Sequence, residues 1–117
     1  MKIEYEAGPH FLIVKIIGEW TDFEANKAID EIKLHCERSQ STKVLFDLQE
    51  LSYPANDSIR FNSGKKLAET LSSYKIAGFS QPEKINYLGE ITATNRGAHF
   101  KMFGSEEKAI KWLMKNE

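Results

Sequence analysis

Hydrophobic positions along the chain fall into short blocks that follow two different periods. Ile3 and Tyr5 alternate with charged neighbours over residues 2–6, the pattern of a half-buried strand. Residues 10–18 carry Phe11, Leu12, Ile13, Val14, Ile16 and Ile17 almost without a break. That run predicts a second strand covered on both faces. Ala7-Gly8-Pro9 between the two is turn chemistry, so they are expected to pair as an antiparallel hairpin. A helical period follows. Ala25, Ala28, Ile29, Ile32 and Cys36 share one face of a helix placed at 22–38. Thr21 and Glu24 have the spacing of a capping box, and Trp20 and Ala25 that of a hydrophobic staple.

Residues 42–48 form the next apolar block, Val44-Leu45-Phe46, with Asp47 near its end. No alternation precedes Asp47, as expected of an interior parallel strand. The loop beyond it leads to a helix placed at 57–73, with Phe61, Gly64, Ala68 and Leu71 on one face and Leu67 beside it. Gly64 costs such a helix about 1 kcal/mol relative to alanine, and its place on the inner face suggests close approach to the sheet. A strand is placed at 74–80. Pro82 suits the first turn of a third helix, with Ile85, Leu88 and Thr92 as its buried stripe and Gly97 as its left-handed stop. His99–Phe103 reads as the last strand. Ser105 caps a final helix with Glu106 and Glu107 at its positive end, Lys111 and Lys115 at its negative end, and Ala109, Ile110 and Leu113 inward. The order is ββαβαβαβα. It predicts an α/β fold with a mixed, mostly parallel five-stranded sheet, an N-terminal antiparallel hairpin and four helices mainly on one face.

Composition narrows the function classes. The 117 residues suit a single domain spanning 1–117. A formal net charge of -1 argues against nucleic acid as a partner, because that needs a basic field. Residues 11–17 are broken by Lys15 and fall far short of the ~20 apolar residues of a membrane span. Met1–Glu6 is no signal peptide, since acidic residues interrupt it. Cys36 is the single cysteine, which excludes a disulfide framework and a cysteine zinc site. A reducing cytoplasm is the expected location.

Three stretches carry a resemblance. They are Val44-Leu45-Phe46-Asp47-Leu48, Lys75-Ile76-Ala77-Gly78-Phe79, and the closing run from Met102-Phe103-Gly104-Ser105 to Ala109-Ile110-Lys111-Trp112-Leu113. Together with the element order they resemble the STAS domain superfamily, and within it the stand-alone bacterial STAS/SEC14-like, anti-sigma-factor-antagonist-like proteins. The resemblance covers nearly the whole chain. It implies a non-enzymatic regulatory module that binds a protein partner. In the antagonists a phosphorylated serine sits in an Asp-Ser-Ser-Gly-Leu motif after the middle strand. The matching region here keeps Asp57-Ser58 but lacks the second serine and the Gly-Leu, so it implies a repurposed recognition loop. The alternative that the resemblance implies is a small-molecule or lipid-binding protein with a cavity between sheet and helices.

The candidate site is therefore the loop at 51–58, with Tyr53, Asn56, Asp57 and Ser58 as partner-binding residues. Ser58 at a helix start could accept a phosphate, whose charge the helix dipole would favour. Its plain reading is a polar first-turn residue. Asp47 lacks a second carboxylate for metal chemistry and is expected to accept N–H groups of its own loop. His10, His35 and His99 show no paired spacing, and no nucleophile elbow or phosphate-cradling glycine loop is present. No catalytic residue, cofactor or metal is expected. Cys36 is expected to be a core thiol. Trp20, Tyr53 and Phe61 could line a groove, though Trp20 reads more simply as the staple and Phe61 as core. The nearly all-apolar second strand makes a homodimer plausible.

Overall fold

The computed structural model describes residues 1–52 and 56–115. Strands β1 (Lys2–Ala7) and β2 (Leu12–Glu19) form the antiparallel hairpin, in register from Lys2 opposite Ile17 to Ala7 opposite Leu12. Helix α1 (Asp22–Ser39), strand β3 (Lys43–Asp47), the two-residue strand β4 (Leu51–Ser52) and helix α2 (Asp57–Leu71) follow. Then come β5 (Lys75–Phe79), a 3₁₀ turn at Pro82–Lys84, α3 (Leu88–Asn95), β6 (His99–Phe103) and α4 (Glu106–Leu113). The strand order is β1-β2-β3-β5-β6, with β4 paired to the far end of β2. All pairs after the hairpin are parallel. The fold is the expected STAS-like α/β architecture, with β4 as a sixth strand.

Alternation along the interior strands divides the core into two layers. Leu12, Val14, Ile16, Val44, Phe46 and Ile76 point to the side covered by α1, α2 and α3. Leu45, Ala77 and Phe79 point to the other, where α4 packs Ala109 and Leu113 against them. Three helices thus share a face and α4 stands alone. Its end is clamped by Lys75, 7% exposed, whose Nζ donates to the carbonyls of Trp112 at 2.7 Å and Lys115 at 2.9 Å.

Local sequence explains most boundaries. Thr21 Oγ1 accepts from Glu24 N at 3.3 Å, forming one arm of the capping box. The return arm is absent, because Glu24 Oε2 lies 3.1 Å from the amino group of Met1. Gln40, at φ 57°, ends α1. Gly18, at φ 106°, turns the end of β2 so that it leaves β3 and pairs with Leu51 of β4, a conformation that a residue with a Cβ rarely adopts. In the interior strand β5, a Cβ on Gly78 would fall 2.6 Å from Met102 Sδ, so glycine there lets the Met102 side chain cross the strand.

Two expectations need correction. The third helix does not run on from Pro82. Ile85 is extended at φ -78°, ψ 122°, and the Asn86 carboxamide accepts from Leu88 N at 2.9 Å. That local bond offers the backbone an alternative to the helix and restarts it one turn later. Thr92 and Ala93 form the buried side of α3, and Leu88 is half-buried. Phe61 is not core: it is 42% exposed, with the Arg96 guanidinium 5.3 Å from its ring.

α3 also closes the outer edge of the sheet. Glu90 Oε1 accepts from Met102 N at 2.9 Å, and Thr94 Oγ1 donates to Phe100 O at 3.4 Å. These residues stand four apart, on one face of the helix, and meet the groups that β6 turns away from β5.

Candidate functional site

At the predicted loop, Tyr53 lies outside the described residues. Asn56 is the N-cap of α2, its side chain accepting from Ile59 N at 3.0 Å. Asp57 accepts from Arg60 Nη1 at 3.1 Å. Ser58 is exposed in the first turn. Two of these three side chains are thus occupied by the helix start, and Ser58 presents its hydroxyl to solvent. Asp47 Oδ1 accepts from Gln49 N at 3.1 Å, the loop-closing role expected of it.

Behind this helix start, between the sheet and the three helices of the larger layer, lies a cavity of about 110 Å³. Ile16, Phe46, Phe100 and Met102 of the strands face it on one side. Ile29 and Ile32 of α1, Leu67 of α2 and Ile85 enclose it on the other. Gly64 of α2 lines it too. A glycine on an inward helix face contributes no side chain, and α2 has α1 and α3 as its main neighbours rather than the strands. The expected close approach of Gly64 to the sheet is therefore not seen: Gly64 is buried on a helix that packs against α1 and α3.

Trp20 lines the same cavity, and its position follows from the kink at Gly18. Once β2 has paired with β4, Trp20 N donates to Ser52 O at 3.2 Å. The indole then reaches α2, where Nε1 donates to Ser63 Oγ at 2.7 Å. The staple residue of α1 is thus also a wall of the cavity.

The cavity's polar groups are few, and each has a definable state. Ser63 accepts from Trp20, Asn86 from Leu88 N, and Glu90 from Met102 N. Arg60 differs. Its Nη1 meets Asp57, but its Nε is buried without a hydrogen-bond partner among the described residues. A buried donor left without a partner costs free energy.

Two titratable groups elsewhere in the layer are held in their neutral forms by burial. Cys36 is fully buried, and desolvation pushes its thiol up to about 11. Desolvation, then the nearby Glu31 carboxylate, raise the Tyr5 phenol well above its usual value. Its ring stacks on His35 with centroids 3.5 Å apart.

Sequence reasoning missed Arg60, Ser63 and Glu90 as cavity residues. Gly64 on the inner face of α2 was the local signal that could have led to them.

The fold is shared with solved structures. The chain matches the crystal structure of an uncharacterized protein of the DUF3478 family with a SpoIIAA-like fold from Shewanella loihica PV-4. The TM-score is 0.61 at 20% identity, covering 96% of this chain and 92% of that one. It also matches the anti-sigma factor antagonist SpoIIAA in its unphosphorylated form, with a TM-score of 0.60 at 13% identity, covering 98% of this chain and 100% of that one. No family model and no curated protein matches the chain. Among the described residues, no helix is long and apolar enough to cross a membrane.

Proposed function

We propose that this protein is a non-catalytic, STAS-like binding module whose working site is the cavity between the sheet and α1, α2 and α3, and that it takes a small apolar molecule. The observation that carries this is the lining: aliphatic and aromatic side chains from β2, β3, β4, β6, α1 and α2 surround one half-open space beside a helix start. Ligand pockets are characteristically apolar, with a few placed polar groups. The three polar groups besides Arg60 already hold structural hydrogen bonds, which favours binding over chemistry. Native mass spectrometry of freshly purified protein tests the reading. A retained small mass, lost from a Leu67→Phe variant that still folds, is the expected result. A bare chain that also fails to take up pentane-sized probes refutes it.

A second reading is favoured by the exposed first turn of α2. There Asn56, Asp57 and Ser58 would form the contact surface for a protein partner, as suits a fold shared with an anti-sigma factor antagonist. Asp57 touches Arg60, so occupancy of the cavity would be felt at that surface. Ser58→Ala should weaken capture of a partner without unfolding the domain. Unchanged capture, and no phosphate label on Ser58 in lysate, would remove this surface and its serine from consideration.

A further inference from the structure

We infer that the cavity selects a small amphiphile bearing a carboxylate, with Arg60 as the residue that recognises the acid. The inference rests on the cavity reading above and adds the chemical class of the ligand. Size limits the apolar part. A cavity of roughly 150 Å³ is enough for benzene, so about 110 Å³ seats an apolar group somewhat smaller, a chain of about four or five carbons.

Charge selects the head. Arg60 is the cationic side chain among those lining the cavity. Its Nε points into buried surroundings with no acceptor among the described residues. Its standing partner is weak competition: Asp57 is 72% exposed, and exposed ion pairs contribute little. Asp57 meets Nη1, so a second carboxylate would take the Nε side, displacing the side chains that now cover that nitrogen. A planar fork matched to a planar carboxylate is the geometry in which arginine outperforms lysine. The lining's own carboxylate, Glu90, does not compete for this position, since its Oε1 holds Met102 N–H at 2.9 Å. A ligand acid would complete the one buried donor of the site that has no bond, while its tail covers Ile29, Ile32 and Leu67.

The test compares hexanoate with hexanamide, equal in length and differing in charge, by NMR titration at pH 7. The Trp20 indole N–H lies in the site, and Trp112, packed on the opposite face, is the internal reference. Hexanoate should shift the Trp20 signal with about tenfold higher affinity than hexanamide, one charge-assisted hydrogen bond's worth. In Arg60→Gln the two ligands should bind alike, with hexanamide unchanged. In Asp57→Asn, which removes the competing carboxylate, hexanoate alone should bind more tightly; this variant serves should Arg60→Gln fail to fold. Hexanamide binding as well as hexanoate to the wild-type protein overturns the acid preference and leaves the cavity reading intact. A preference that survives in Arg60→Gln, or an Asp57→Asn variant with unaltered hexanoate binding, overturns the role of Arg60. Should neither compound move the Trp20 signal, both this inference and the cavity reading fall.

Discussion

Replacing Lys75 by methionine tests whether a buried ammonium holds α4 onto the sheet. Methionine keeps the length and the apolar stem of lysine and removes the charge and its donors. The loss includes two hydrogen bonds, to Trp112 O at 2.7 Å and Lys115 O at 2.9 Å. It also includes the position of Nζ 4.7 Å from the centroid of the Trp112 ring. Bonds from a charged donor contribute about 1.5–3 kcal/mol each net, which would give up to ~6 kcal/mol if both carbonyls stayed dry. They do not, because they lie at the exposed end of α4, where Lys115 faces solvent. Water therefore recovers much of the loss. The ammonium's own desolvation also opposes its contribution, as in other buried charges. The expected destabilisation is about 2–3 kcal/mol, roughly 8–12 °C in Tm for a domain of this size. Urea denaturation followed by tryptophan fluorescence measures it, with Lys43→Met on the neighbouring strand as the control expected within about 0.5 kcal/mol of wild type. A loss below about 0.5 kcal/mol in Lys75→Met would show that desolvation cancels the bonds, and the clamp would have to be abandoned.

Cys36 predicts an alkaline decline in stability. Its thiol rises from 9.0 to about 11 on folding, so the unfolded chain gives up the proton first. Its contribution is complete below about pH 9 and is lost between there and pH 11. Wild type should lose about 2 kcal/mol more than Cys36→Ala between pH 8 and pH 10.5; parallel losses in the two proteins would contradict this. Asn56→Ala removes the cap on Ile59 N and should cost about 1 kcal/mol. Amide exchange should rise at Ile59 and the first turn of α2 while β3 stays protected, and an exchange pattern like that of wild type would argue against the cap.

Most of the fold was legible because its signals are local. Asp47, the caps at Thr21 and Ser105, and the stop at Gly97 depend on a few neighbouring residues, and the structure places them as their chemistry dictates. β4 was not legible, since two residues carry no period and their pairing depends on where a kink at Gly18 sends β2. Phe61 was misplaced because α2 turns one side to α1 and α3, and helical spacing alone does not fix which apolar residue falls at its margin. The cavity was hidden for a related reason. Its walls come from four strands and three helices, and the space among them is a property of their assembly. The start of α2 at Asp57 falls where the sequence placed it, yet the residue with an unpaired buried donor, Arg60, lies one turn further on, where a lone arginine in a helix attracts no notice.

The bonds from Glu90 and Thr94 to β6 have a consequence for assembly. A sheet grows by adding strands at an edge whose N–H and C=O groups are open. With Met102 N and Phe100 O of β6 taken by α3, β1 is the more open edge of the strand order. A particle with one adhesive edge can join a single other particle, edge to edge about a two-fold axis, and the union then has nothing left to offer. Fibrous growth needs two such edges on every copy. A short helix with two side chains on a strand therefore steers strand addition toward β1, and so toward a closed pair.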